Sequence, residues 1–373
     1  MRTPICEQLD IEFPIFAFSH CRDVVAAVSR AGGYGVLGAL AYTPDQLEIE
    51  LNWIDEHVDG KPYGVDIVMP AKYVGKGGGK EASVTSLDAL IPEEHRHFVD
   101  DLLDEYHVPP LPPDLERGVV KAAGLNVDEE GPGQVEVSLQ HPVSLLVNAL
   151  GPVPPEVAKQ AHDHGVLVGA LVGSKTHAER QVMQGVDVLV AQGTEAGGHC
   201  GEISTMVLIP EVVDAVGPEV PVLAAGGIGC GRQMTAALAL GAQGVWTGSI
   251  WLTVAESPTS GATLEDLLAA TSRDTVRSRA MTGKPARQLR TGWTDAWERP
   301  DTPDPLPMPL QGIIYAGAAR RFGRVQKREL AGSPVGQIVG RMNEVRPARE
   351  VIFDMVEEWI DTTERLKRLA ELD

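Results

Sequence analysis

A short glycine-rich segment that ends in a histidine carries the strongest chemical signal in this chain. Residues Gln192–Gly201 read Q-G-T-E-A-G-G-H-C-G and directly follow an apolar run that predicts a β-strand. Glycines let the backbone approach a flat ligand closely, because any Cβ would clash there. A histidine can exchange protons near neutral pH. The segment therefore indicates a ligand site with His199 as its proton-transfer group. A histidine that only caps a turn is the alternative.

Two further glycine turns follow the next two predicted strands and lie one βα unit apart. The first is Ala224–Gly229 (A-A-G-G-I-G), and the second is Gly248–Ser249. The loops after the last two strands of a β/α barrel commonly form a phosphate site from backbone N–H groups and a helix N-terminus. Neither turn contains lysine or arginine, so main-chain amides would carry most of the anion binding. Two ordinary tight turns are the alternative.

The elements that must position these turns form a regular alternation. Short apolar runs alternate with helix-length amphipathic segments, which is typical of a parallel sheet built from βα units. Eight strands in this rhythm favour a closed TIM (β/α)8 barrel, although periodicity alone leaves an open doubly wound sheet possible. The predicted strands lie near Pro14–Phe18, Tyr34–Gly38, Tyr63–Val68, Val143–Asn148, Leu167–Val172, Val186–Ala191, Val222–Ala225 and Gly244–Gly248. The predicted helices include Asp23–Ala31, Thr43–Glu56, Pro154–His164, Lys175–Gln184, Pro210–Val216 and Arg232–Leu240.

One interval after the third strand breaks this alternation. Residues 71–140 contain an acidic stretch, Pro92–Tyr106, that is predicted to be helical, and a proline-rich turn at Pro109–Pro113. We expect this segment to be an insertion, or lid, on the active-site face, where βα loops grow long. Residues 1–70 and 141–256 would then form the barrel. Residues 257–373 would form a mainly helical C-terminal extension that ends in a helix around Ala348–Leu372.

Two other motifs match known nucleotide-binding patterns only by their letters. Gly33–Gly38 fits G-x-G-x-x-G, but it follows a predicted helix and runs into a strand, the reverse of the dinucleotide-binding order. The run Gly75–Lys80 lacks the Ser or Thr of a P-loop. Its region carries Lys72, Lys76 and Lys80, which belong either to a surface loop or to a site for a phosphorylated substrate, such as a CoA thioester or a nicotinamide cofactor.

Composition excludes several classes of protein. The net charge of −20 over 373 residues argues against binding to nucleic acid or to anionic membranes. The N-terminus lacks the apolar run of a signal peptide, and no later segment has the length and hydropathy of a membrane span. The four cysteines form no C-x-x-C pair and suggest neither a disulfide framework nor a metal site. We therefore expect a cytoplasmic protein with a small-molecule substrate, and a homo-oligomer is possible.

Taken together, these motifs resemble the nitronate monooxygenase family, formerly called 2-nitropropane dioxygenases. The resemblance covers Ala26–Gly38, Gly64–Pro70 and Val143 to about Ser257, and it resumes weakly at Thr282–Arg290. The order Q-G-x-E-A-G-G-H, then A-A-G-G-I, then G-A-x-G-V-x-x-G-[ST] is specific in combination. The resemblance implies an FMN cofactor and a catalytic histidine at His199.

The resemblance also implies which residues contact the flavin, and it shows two departures near the expected ring. The family usually has Ala-Pro-Met on the first strand, where this chain has Ala17-Phe18-Ser19, and commonly has G-V-N after strand three, where this chain has Gly64-Val65-Asp66. The predicted cofactor-binding residues are Ala17, Phe18, Asp66, Gln192, Gly197, Gly198, Gly226, Gly227, Trp246, Thr247, Gly248 and Ser249.

Three functions remain open on the sequence. The first is oxidative denitrification, in which an alkyl nitronate and dioxygen give a carbonyl compound and nitrite. His199 would abstract the α-proton of a neutral nitroalkane or orient the anionic nitronate. The second is an NAD(P)H-dependent flavin reductase that acts on a quinone or on an enoyl or cyclic CoA thioester. Asp66, the lysine-rich loop and the insertion favour it. The third is a non-catalytic FMN-binding protein.

Overall fold

Eight parallel strands close into a barrel in the computed structural model, which describes residues 2–69, 87–112 and 127–370. The strands are Ile15–Ser19 (β1), Tyr34–Gly38 (β2), Tyr63–Val68 (β3), Leu145–Ala149 (β4), Leu167–Val172 (β5), Val188–Gln192 (β6), Val222–Ala225 (β8) and Gly244–Thr247 (β9). They pair in this order, and β9 pairs back onto β1 to complete the circle. The predicted TIM barrel is confirmed, and each predicted strand overlaps an observed one.

Helices occupy the connections, and several begin where the sequence indicates. The Thr43 side chain accepts from Gln46 N in a capping box at the start of the helix Pro44–His57. The predicted start at Pro210 was wrong, because the helix Thr205–Val216 begins at Thr205 and contains Pro210. The helices are Pro4–Leu9 (α1), Arg22–Arg30 (α2), Pro44–His57 (α3), Glu93–Glu105 (α4), Val127–Ser138 (α5), Pro155–Asp163 (α6), Lys175–Met183 (α7), Thr205–Val216 (α8), Gly231–Ala239 (α9), Gly261–Ala269 (α10), Gly292–Ala296 (α11), Leu310–Arg324 (α12) and Ala348–Ala370 (α13). Two 3-10 helices lie at Ser249–Thr253 and Gln337–Arg341.

The alternation of side chains along each strand divides the barrel into two apolar layers. On β3, Tyr63, Val65 and Ile67 face outward and pack in the cluster beneath the helices. The lumen is filled by a second cluster that includes Phe16 and Trp246, together with residues of α1. Because α1 precedes β1 and joins the lumen cluster, it lies at the amino-terminal end of the strands. The carboxyl ends of the strands form the opposite opening, which we call the barrel mouth.

The middle of the chain and its C-terminal part share a second, smaller core. Helix α4 packs with α11 and α12 around Trp293, Trp297 and Phe322. Salt bridges at the rim join α4 to α12, between Asp100 and Arg321, and to the segment after α11, between Glu105 and Arg299. Helix α5, by contrast, packs on α3 and β3 as the crossover helix of the barrel. The lysines Lys72, Lys76 and Lys80 lie outside the described residues.

A hairpin in the C-terminal extension was not predicted and reaches the barrel mouth. Its strands, Thr275–Ser278 (β10) and Ala286–Leu289 (β11), pair antiparallel, and β11 also pairs with the two-residue strand Gly198–His199 (β7). In this register His199 lies opposite Ala286. Within the described part of the chain, no helix has both the length and the apolar character that a bilayer span requires.

Candidate active site at the barrel mouth

The strands bring the residues predicted from the sequence together at the barrel mouth. Catalytic groups in barrels of this type lie at the carboxyl ends of the strands, where several strands contribute side chains to one site. The residues are Phe18 on β1, Asp66 on β3, Gln192 at the end of β6, Gly197–His199 in the following loop, Gly226 and Gly227 after β8, and Trp246–Ser249 at the end of β9.

Aromatic rings form one wall of the mouth. Phe18 stacks on Trp246 with ring centroids 6.3 Å apart and an interplanar angle of 26°. Trp246 in turn stacks over Phe16 deeper in the lumen. Ala17 and Thr247 point the other way, since Ala17 packs in the outer cluster and the Thr247 hydroxyl donates to Phe16 O. These two residues can therefore offer only their main chain to a ligand at the mouth.

His199 is a neutral imidazole in this environment. Burial, which has the largest effect, and the positive charge of Lys284 together lower its pKa to about 4, although a hydrogen bond with the Pro285 backbone acts in the opposite direction. Its Nδ1 is buried and has no hydrogen-bond partner among the residues that the structure describes. The pKa thus lies well below the neutral range that an ordinary histidine would have. With the ring N–H engaged by Pro285, Nδ1 is the basic nitrogen.

A tight turn holds Lys284 beside this histidine. Lys284 N donates to the hydroxyl of Thr282, and Gly283 has a φ of 81°, a left-handed conformation that favours glycine. A Cβ at Gly283 would lie 2.1 Å from Leu306 O, so the turn is packed directly against that segment. Burial lowers the pKa of Lys284, and its ammonium group makes no salt bridge within the described ranges. The turn therefore presents an unpaired cation to His199.

The loop that carries His199 is fixed from several sides. The Glu195 carboxylate accepts from Thr205 N at 3.0 Å and from the Thr205 hydroxyl at 2.8 Å, at the start of α8. The buried Arg287 donates from Nε to Thr194 O at 2.8 Å. Gln337 N donates to Glu195 O at 2.9 Å. A carboxylate at a helix N-terminus is stabilised by the unpaired amides and the helix dipole. These hydrogen bonds therefore hold the loop, and His199 with it, in place before a ligand binds.

The second glycine turn leaves space that protein side chains do not fill, whereas the first is packed: a Cβ at Gly226 would lie 2.8 Å from Thr205 Oγ1, and a Cβ at Gly227 would lie 3.2 Å from Glu195 Cβ. Gly226 and Gly227 have φ values of 102° and 70°, so both favour glycine. Gly248 has a φ of −125°, which does not require glycine, and a Cβ there would meet only Phe18 Cδ1, at 3.8 Å. A Cβ at Gly198 would meet no atom within 4 Å. A ligand that approaches the backbone at Gly248 would explain why a glycine stands there.

Two parts of the site were missed by reasoning from sequence. Lys284 lies in the weakly matching stretch Thr282–Arg290, which carried no assigned role. The segment Ser333–Gln337 carries no charged residue or histidine, so it gave no chemical signal. Its Gly336 N donates to Ser249 Oγ at 2.8 Å, and a Cβ at Gly197 would lie 2.7 Å from the same nitrogen. The C-terminal extension thus closes directly onto both the histidine loop and the second glycine turn.

Comparison with known proteins identifies the family. A family model described as nitronate monooxygenase matches residues 114–358. The chain belongs to the nitronate monooxygenase family. It is 55% identical, over 100% of both chains, to a putative monooxygenase, Rv1533, of Mycobacterium tuberculosis. As a member of this family, the protein is a flavin-dependent oxidoreductase with a small-molecule substrate.

Two solved structures of similar fold align along almost the whole chain. FabK from Thermotoga maritima is 28% identical over 99% of both chains, with a TM-score of 0.73. A nitroalkane oxidase from Streptomyces ansochromogenes has a TM-score of 0.78 and covers 97% of this chain and 99% of its own. Its identity is 24%, so that likeness concerns the fold.

The residues at the mouth fit the flavin that the nitronate monooxygenase family uses. Asp66 Oδ1 and His199 Nδ1 are buried polar atoms without partners in the described structure, and a heteroaromatic ring offers N–H and C=O groups to such atoms. The Phe18–Trp246 wall suits a flat ring, and the space at Gly248 suits a phosphate beside main-chain amides.

Replacing Glu195 tests whether the loop anchor matters for the site. Glu195→Ala removes the cap of α8, and we expect a loss of about 1–2 kcal/mol in the free energy of unfolding, together with weaker flavin binding. Glu202→Ala is the matched control, because Glu202 lies in the same region with its side chain 84% exposed. Urea unfolding and flavin titration measure both effects. Equal behaviour of the two variants would contradict the assigned anchor.

Proposed function

We propose that this protein is an FMN-dependent nitronate monooxygenase that converts alkyl nitronates and dioxygen to a carbonyl compound and nitrite. The observation that carries the proposal is the neutral His199 beside the unpaired ammonium of Lys284 at the mouth of a flavin-family barrel. A cation that has no carboxylate partner in the described part of the chain, in a protein of net charge −20, suits an anionic substrate.

Lys284 and His199 would have separate roles, one in binding the charge of the substrate and the other in proton transfer. Lys284 would bind the negatively charged oxygens of the nitronate and stabilise that charge in a poorly solvated site. His199 Nδ1 would accept the α-proton when a neutral nitroalkane enters. A base with a pKa of about 4 is weak for this task, so preformed nitronates should be the better substrates. The negative charge that develops beside His199 would raise its pKa during the transfer.

The remaining predicted residues would hold the cofactor. Gly226, Gly227, Gly248 and Ser249 would bind a single terminal phosphate, which is why FMN is the proposed flavin. Phe18, Trp246, Gln192 and the backbone at Gly197–Gly198 would line the ring, with main-chain contacts from Ala17 and Thr247. Bound FMN supplies the electron acceptor for the nitronate, with dioxygen as the final oxidant.

The domain organisation supports this site as well. We propose that residues 1–70 and 141–256 form the flavin-binding barrel. Within 71–140, α5 belongs to the barrel as its crossover helix, while α4 and residues 257–373 would restrict access of water and substrate to the mouth. Support comes from the second core, which joins α4 to α11 and α12, and from the pairing of β11 with the histidine strand.

Anaerobic stopped-flow reduction of the purified yellow protein tests the proposed function. An alkyl nitronate should bleach the flavin, while NADH and NADPH should leave it oxidised. Aerobic turnover should then release nitrite and a carbonyl compound. Bleaching by a nicotinamide without bleaching by nitronates would overturn the proposal in favour of a reductase acting on a quinone or a thioester. A flavin that none of these compounds reduces would indicate a non-catalytic flavin-binding protein.

Variants of Lys284 and His199 separate the roles of these two residues. We expect Lys284→Met to lower kcat/KM for preformed nitronates by about tenfold to a hundredfold, the scale of a lost charge-assisted hydrogen bond. His199→Asn should retain FMN and lose about two to four decades of activity on neutral nitroalkanes, with a smaller loss on preformed nitronates. Lys159→Met, at an exposed lysine on α6, is the control and should behave like the wild type. A Lys284→Met variant with unchanged kinetics would remove this lysine from substrate binding.

A further inference from the structure

Asp66 is a carboxyl group buried where the flavin ring is expected. It lies near the carboxyl end of β3 and is 3% exposed. Because Val65 and Ile67 face the outer cluster, Asp66 faces the lumen side of the barrel mouth. Its Oδ1 is buried and has no hydrogen-bond partner among the described residues. A buried polar atom without a partner is costly, so this one requires an explanation.

The strands beside Asp66 offer it neither a cation nor a free hydrogen-bonding side chain. In register with it stand Gly38 on β2 and Val147 on β4. The titratable groups nearest to these strands are otherwise engaged. The exposed His20 donates from Nδ1 to Gly38 O, and the Tyr34 hydroxyl pairs with the Ser144 hydroxyl.

Burial therefore controls the protonation of this carboxyl. Desolvation raises the pKa of Asp66 well above its ordinary value, because an isolated charge is unfavourable in a poorly solvated lumen. Burial thus favours the uncharged carboxylic acid, which has one O–H donor and one carbonyl acceptor. This is the same hydrogen-bonding capacity that one face of an asparagine amide would present at this position.

We propose that Asp66 is a flavin-positioning residue that stays protonated and both donates and accepts hydrogen bonds at a polar edge of the isoalloxazine ring. The inference rests on the proposed FMN site at the barrel mouth. The ring's polar edge alternates N–H and C=O groups, so a neutral acid can satisfy a donor and an acceptor there at once. An aspartate can thus stand where the family commonly has asparagine, provided that it carries its proton.

This arrangement links flavin binding to pH, which asparagine would not do. As pH rises through the pKa of Asp66, the carboxyl loses its only donor and gains a negative charge in the lumen. That charge would weaken FMN binding and would also oppose reduction of the ring, since reduction adds electron density to it. The affinity for FMN and the midpoint potential should therefore both fall at high pH, with the proton on Asp66 as the cause.

Two variants of similar size test the proposal. Asp66→Asn keeps a donor and an acceptor without a titratable group, and Asp66→Leu removes both. The FMN dissociation constant and the flavin midpoint potential are measured from about pH 6 to about pH 9, a range that spans strongly raised carboxyl pKa values. Relative to Asp66→Asn, we expect the wild type to lose about tenfold in affinity across this range. Asp66→Leu should bind FMN weakly at every pH.

The outcomes separate this inference from the proposed function. If the FMN dissociation constants of the wild type and Asp66→Asn change with pH in the same way, and their midpoint potentials are equal, the proposal that Asp66 is protonated is wrong. The proposed FMN site would not be affected by that result. If Asp66→Leu binds FMN as tightly as the wild type, Asp66 does not contact the ring. Failure of the wild type to bind FMN at any pH would instead overturn the proposed function itself.

Thermal unfolding of the flavin-free proteins adds a second readout. Asp66→Asn should be the more stable form at high pH, because the wild type must then bury a charge or keep its proton.

Discussion

The pairing of a two-residue strand with a distant hairpin is the constraint on which the site depends. β7 contributes only Gly198 and His199, and β11 aligns Ala286 opposite His199. This contact removes the imidazole from water, places Lys284 next to it and lets Arg287 reach the Thr194 carbonyl. The barrel supplies the floor of the site, but the charge state of its histidine is set by a segment that lies far away in sequence.

Desolvation gives the mouth an unusual distribution of charge. Burial favours the neutral forms of two groups there, because it lowers the pKa of His199 to about 4 and raises the pKa of Asp66 well above its ordinary value. The lysine beside the histidine remains a cation without a carboxylate partner in the described structure. A protein with a strongly acidic composition thus keeps a small positive region at its mouth, which is the arrangement that an anionic substrate and a phosphate-bearing cofactor require.

The sequence was sufficient for the barrel and for the parts of the site that follow barrel strands. Apolar runs and glycine turns are local signals, so the eight strands and the turns at Gly226–Gly227 and Gly248–Ser249 could be located directly. The hairpin could not, because its strands, T-V-R-S and A-R-Q-L, contain no apolar run, and β11 pairs with β7, which is distant in sequence. The start of α8 was misplaced at Pro210 because its N-terminal partner, Glu195, belongs to another loop. The position of Lys284 at the site could not be predicted either, because it depends on the same pairing of β11 with β7.

The central claim is that the barrel mouth holds FMN, with its phosphate on the two glycine turns and its ring between His199 and Asp66. A crystal structure of the protein purified with its flavin tests this claim most directly. We expect electron density for the phosphate between Gly226–Gly227 and Gly248–Ser249. We also expect a polar ring edge within hydrogen-bonding distance of Asp66. A phosphate bound elsewhere, or a ring that contacts neither Asp66 nor His199, would contradict it.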